Sequence, residues 1–89
     1  MINPESCPKR GNQVIVQKAA SDILLLNMED GHYYSLNEVG GRVWELCDGI
    51  HTVSQVVASL ASEYETPYLE LEKDVMELLE DFRKGKLIA

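Results

Sequence analysis

Cysteine is scarce: Cys7 and Cys47 are the two in 89 residues, and no histidine pair accompanies either. That pattern excludes a disulfide framework, and it excludes a zinc cluster, which needs three or four ligands at workable spacing. Both thiols are expected to stay unpaired in a reducing cytoplasm. His32 reads as a turn residue and His51 as a linker residue, so no metal site is assigned. Long apolar runs are missing too. None reaches the roughly 18 residues of a membrane span, and no basic segment precedes a signal-like stretch. A soluble, cytoplasmic protein is expected. Positive charge is short: 8 Lys+Arg stand against 15 Asp+Glu, a net charge of −7. Such a balance repels phosphate backbones and anionic bilayers and favours neutral or basic partners, so neither nucleic acid nor membrane is expected as a partner. No glycine-rich phosphate loop follows a strand, and Ser35, Ser54, Ser59 and Ser62 have no base placed by spacing to activate them. Glu70, Glu72, Asp74, Glu77, Glu80 and Asp81 read as a solvated helix face rather than an acid/base pair. No catalytic residue and no cofactor is assigned; the chain does not read as an enzyme.

Hydrophobic residues make up 45% of the chain and charged residues 26%, which is enough apolar material for one small core. Residues 1–11, with Pro4, Pro8 and Gly11 and no periodicity, are expected to form a flexible tail, ordered only against something else. Residues 12–89 form the expected single domain. Within it Gln13 to Gln17 and Ile23 to Met28 read as strands. Asp30-Gly31 signals a two-residue hairpin turn leading into a third strand, His32 to Leu36. Such a turn sets Glu29 opposite His32, Asn27 opposite Tyr34 and Leu25 opposite Leu36. Ile23, Leu25, Tyr34 and Leu36 then share the core face, while Leu24, Leu26, Met28 and Tyr33 leave the other face unusually apolar.

After Leu36 the period becomes helical. Asn37 suits an N-cap, and Val39, Val43, Leu46 and Cys47 give a first stripe ending at Gly49. Gly40-Gly41 weakens this helix, and either a close approach to the sheet or a plain weak first turn accounts for it. Thr52 and Gln55 form a capping box for a second helix with Val53, Val56, Val57, Leu60, Ala61 and Tyr64. Thr66-Pro67 opens a third helix as cap and first position, running to about Lys84 before Gly85. The predicted architecture is α+β, a three-stranded antiparallel sheet followed by three helices, winged-helix-like in size and order.

Three features point to binding, one of them the net charge of −7, which would attract a basic peptide. The strand His32 to Leu36 lies at a sheet edge if strands pair in sequence order, and it has no proline or lysine to blunt it. An extended peptide can add to such an edge. The third-helix stripe, centred on Leu71, Val75, Leu78 and Phe82, is wider than a core contact requires. Tyr68, Leu69, Met76 and Leu79 extend it on one side, where Glu72 and Arg83 also project. That flank either belongs to a broad core or lines a groove.

The run from Asp30 through Tyr33-Tyr34-Ser35-Leu36-Asn37-Glu38 to Gly41, Trp44 and Leu46 resembles the central motif of PqqD-like proteins. Asp74-Val75, Leu78-Leu79, Phe82 and Gly85-Lys86-Leu87-Ile88 resemble the family's closing motif, except that Lys86 stands between Gly85 and Leu87 where the family usually passes directly to leucine. The resemblance implies a recognition element for ribosomally synthesised precursor peptides, without catalysis of its own. It implies that the peptide's leader adds to the third strand beside the third helix and is presented to a modifying enzyme. That enzyme would be a leader peptidase with a cyclase in lasso-peptide biosynthesis, or a radical SAM enzyme in pyrroloquinoline quinone synthesis. His32, Tyr33, Tyr34 and Ser35 are the expected backbone partners. Tyr68, Glu72, Met76, Leu79 and Arg83 are the helix-side candidates, chosen by helical phase. Other readings are a winged-helix nucleic-acid binder, which the charge opposes, and a homodimer formed through the apolar outer sheet face.

Overall fold

The expected order of three strands and three helices is present in the computed structural model, which describes residues 2–20 and 22–88. Met1 of the expected tail, Ser21 of the first turn and Ala89 of the expected domain lie outside the described residues. The strands are β1 (Val14–Ala19), β2 (Asp22–Asn27) and β3 (Tyr33–Leu36), forming one antiparallel sheet in the order β1-β2-β3. The helices are α1 (Glu38–Leu46), α2 (Val53–Tyr64) and α3 (Tyr68–Lys84).

The hairpin register differs from expectation by two residues. Leu25 lies opposite Tyr34 and Ile23 opposite Leu36, so the connection is longer than a two-residue turn. The cause is Asn27, which is fully buried and organises the loop. Its Oδ1 accepts the Glu29 N–H at 3.0 Å, and its backbone carbonyl accepts the Gly31 N–H at 2.8 Å. Gly31 takes φ +74°, where a β-carbon is unfavourable. A slip of two preserves the faces, since side chains alternate with period two. Ile23, Leu25, Leu36 and half-buried Tyr34 therefore do line the core.

Local signals govern the helix starts. The Asn37 side chain accepts the Gly40 N–H at 2.8 Å, and Thr52 with Gln55 completes both bonds of the capping box. At α3 the expectation shifts by one: Pro67 is the cap residue, and the Thr66 hydroxyl donates to the Tyr64 carbonyl rather than capping the helix. Gly41 decides between the two accounts of the glycine pair. A β-carbon there would fall on Ile23 Cδ1, so α1 is laid directly against β2. Over this contact the core closes around Val43, Val56, Leu60, Val75 and Leu79, and Trp44 meets Phe82 edge-on at 5.5 Å.

Residues 2–11, expected to be a tail ordered only against something else, make hydrogen bonds to the rest of the chain. Ser6 and Pro8 carbonyls accept the Val53 and Gly49 N–H groups, and the Arg10 and Gly11 N–H groups donate to the Cys47 and Leu87 carbonyls. Arg10 Nη1 also donates to the Trp44 and Glu45 carbonyls, at 3.1 and 2.6 Å. The reason is electrostatic: α1 has no basic residue in its last turn, and Arg10 supplies the charge its C-terminus lacks. Because this segment runs along the helices, its hydrogen bonds leave the outer sheet face alone. There Ile15, Leu26 and Tyr33 stand in one cross-strand row, with Met28 nearby.

Candidate functional site

The central strand is saturated on both sides, and two hydrogen bonds show how. The Asn27 N–H donates to the His32 carbonyl at 3.0 Å, and the Met28 N–H donates to the Gln13 carbonyl at 2.9 Å. Antiparallel ladders alternate, so odd positions of β2 bond toward β3 and even positions toward β1. By the same alternation Tyr34 and Leu36 are engaged with β2, whereas the N–H and C=O groups of Tyr33 and Ser35 point away from the sheet. Among the described residues no further strand meets them. The outer side of β1 is open as well, but it carries Lys18, a charge of the kind that discourages pairing; β3 has none.

Beside the end of β3 lies a cleft of about 500 Å³. Ser35 and Leu36 form the strand side, with the Asn37 cap at one end. Val39, Gly40 and Val43 of α1 contribute the floor, and Leu71, Asp74, Val75 and Leu78 of α3 form the far wall, with Thr66 at its entrance. The position follows from the chain path. Asn37 ends β3 and starts α1 within one residue, so the first turn of α1 closes the cleft below the strand edge. Outside the cleft lining, Tyr34 ties the two elements together: a β-carbon on Gly85 would collide with its hydroxyl, so the ring reaches from β3 to the C-terminus of α3.

The walls are mostly apolar, and the polar groups are partly spoken for. Asn37 Oδ1 is occupied by Gly40, and Thr66 by Tyr64. Asp74 is the one ionisable residue lining the cleft among the described residues. It is exposed and, among the described residues, takes no part in the side-chain contacts of arginine and histidine with carboxylates, which use Asp30, Glu45, Asp48, Glu63 and Glu80. No group of three or more His, Cys, Asp and Glu residues arranged to hold a metal occurs among the described residues. Cys47 is fully buried, and desolvation pushes its thiol up to about 12, which makes it an inert core residue.

The residues expected at the site divide. Tyr33 and Ser35 present the free edge. Tyr34 faces β2 with its backbone and packs its half-buried side chain against the core. His32 belongs to the turn: its N–H donates to Asp30 Oδ1 at 2.9 Å, and its carbonyl is taken by Asn27. On α3 the expected flank is not the one that faces the cleft. Leu79 is fully buried in the core. Tyr68, Glu72, Met76 and Arg83 lie, at about 100° per residue, on the side of the helix opposite Asp74. Met76 packs against the core and Arg83 pairs with Glu80. A helical wheel gives the width of a stripe but not which border meets the sheet edge; packing fixes that. Asp74 and Thr66 thus line the cleft without having been among the expected site residues, whereas Leu71, Val75 and Leu78 lie within the predicted stripe.

The fold and the cleft together define a small α+β domain that presents an unpaired strand edge above an apolar trough. The chain belongs to the PqqD family: the family described as coenzyme PQQ synthesis protein D (PqqD) matches residues 22–88. Two solved structures share the fold. One, described as TbiB1 in complex with the TbiA(beta) leader peptide, superposes with a TM-score of 0.81 at 24% identity, covering 90% of this chain and 93% of that one. The other, a lasso peptide synthetase B1 complexed with the leader peptide, gives 0.82 at 20% identity, covering 94% and 99%. No curated protein matches.

Proposed function

We propose that this chain is a non-catalytic recognition module that captures the leader segment of a ribosomally made precursor peptide and presents it to a modifying enzyme. One observation carries the proposal: the outward-facing backbone groups of Tyr33 and Ser35 form an unpaired edge that leads, at Ser35, into the cleft between β3 and α3. A peptide strand added there gains main-chain hydrogen bonds from the edge and side-chain burial from the trough. Two chains of the same fold were solved with leader peptides, which supports the same occupant here. The description of the second as a lasso peptide synthetase B1 supports the lasso-peptide setting, in which the modifying enzymes would be a leader peptidase and a cyclase, over delivery to a radical SAM enzyme. Capture takes place in the cytoplasm, where a ribosomal precursor is first available and where free Cys7 and Cys47 persist.

The test is a titration of the isotopically labelled chain with synthetic leader peptides of lasso precursors. Saturable amide shifts are expected at residues 33–36 and 71–78. Ser35→Pro removes an outward N–H without touching the bonds to β2, and it should weaken binding while the domain stays folded. Tyr34→Pro would instead break the sheet. A titration without saturable shifts at β3, or a folded Ser35→Pro variant with unchanged affinity, refutes strand addition.

A further inference from the structure

We propose that the cleft selects peptides in which an apolar side chain is accompanied, two residues away, by lysine or arginine, the basic group being held by Asp74. This specificity rests on the strand-addition reading above. A strand laid on β3 continues the alternation of the sheet, so its residues opposite Tyr34 and Leu36 turn toward α3, and those opposite Tyr33 and Ser35 turn to the outer face. Successive cleft-facing residues are thus two apart in the peptide, about 7 Å along the strand. One of them lies over the apolar trough of Leu36, Val43, Leu71 and Val75. Asp74 is about 4.5 Å along the helix axis from Leu71 and about 6 Å from Leu78, roughly one turn, an offset that a long basic side chain at the next cleft-facing position spans. Its carboxylate is exposed and outside every ion pair of the described residues. With no cation lining the trough among the described residues, an acidic residue at that peptide position is repelled by Asp74 and by the chain's net charge of −7.

The experiment is a selection of phage-displayed random peptides on the full chain and on Asp74→Lys, followed by anisotropy titrations of the recovered peptides on both proteins and on Asp74→Asn. Because Asp74 is an exposed helix position, all three proteins should melt together. The parent should enrich an apolar residue with Lys or Arg two positions away. Asp74→Lys should keep the apolar residue and exchange the basic one for Asp or Glu. A parent-selected peptide should lose about fivefold in affinity on Asp74→Asn, more on Asp74→Lys, and the difference should shrink with added salt. Recovered peptides with the same charge pattern from parent and Asp74→Lys overturn the role of Asp74 but leave peptide capture standing. A parent selection yielding no peptide that perturbs the amides of residues 33–36 overturns the strand-addition reading itself.

Discussion

Replacing Asn27 should unfasten the sheet from the end of α3, and its cost follows from the contacts it makes. The side chain is fully buried, its Nδ2 donates to the Gly85 carbonyl at 3.0 Å, and its Oδ1 accepts the Glu29 N–H at 3.0 Å. In Asn27→Ala each lost bond removes about 1 kcal/mol, and the Gly85 carbonyl, left partly buried without its donor, adds about 1 kcal/mol more. A total of about 3 kcal/mol corresponds, for a domain of this size, to a melting temperature lower by about 15 °C. Asn27→Asp is the sharper probe. It keeps the acceptor for Glu29 but loses the donor, and it sets a carboxylate against the Gly85 carbonyl. Such a carboxyl has its folded pKa raised, so the variant should be at least as unstable as Asn27→Ala at pH 7. It should recover relative to Asn27→Ala as the pH falls toward 5 and the protonated acid can donate. Urea and thermal unfolding followed by circular dichroism, at both pH values, measure all of this. An Asn27→Ala variant melting within a few degrees of the parent, or an Asn27→Asp variant as stable as the parent at pH 7, refutes the assignment of Asn27 as the clasp.

Three further outcomes are expected. Gly41→Ala should destabilise by about 1–2 kcal/mol in urea unfolding, because the clash with Ile23 outweighs the gain of about 1 kcal/mol in helix propensity; a stabilised variant would show that α1 does not rest on β2. Lys86→Gly should stabilise by about 0.5–1 kcal/mol: Lys86 takes φ +57° while the Leu87 N–H bonds to the Phe82 carbonyl, the position where glycine normally ends a helix. The Asp48 carboxyl is held down at about 2, first by the His51 N–H and then by the Ile50 N–H, so its contribution to the α1–α2 connection is present above its ordinary 3.8 and is lost as the pH falls through about 2. Amide shifts of Ile50 and His51 should titrate with that low midpoint in the parent and show no such step in Asp48→Asn.

Much of the architecture is written in short-range chemistry. Asn37 and the Thr52–Gln55 box mark two helix starts because a side chain reaches only its own next turn, so the signal is complete within four residues. Alternation in β2 assigns Ile23 and Leu25 to the core whatever the register, since a slip of two leaves the faces unchanged. The strand-then-helix order and the unguarded third strand are legible for the same reason.

What the chain could not disclose by itself is everything set by a contact between distant segments. The hairpin register turned on Asn27, whose buried bond goes to Gly85, 58 residues away. Residues 2–11 look featureless in isolation and are held by Arg10 against carbonyls at the end of α1. Above all, the stripe on α3 was visible, but which of its borders lines the cleft beside β3 was not. Helical phase is a property of one element, whereas the choice of Asp74 and Leu78 over Tyr68 and Met76 as the wall beside β3 is made when helix and sheet pack together.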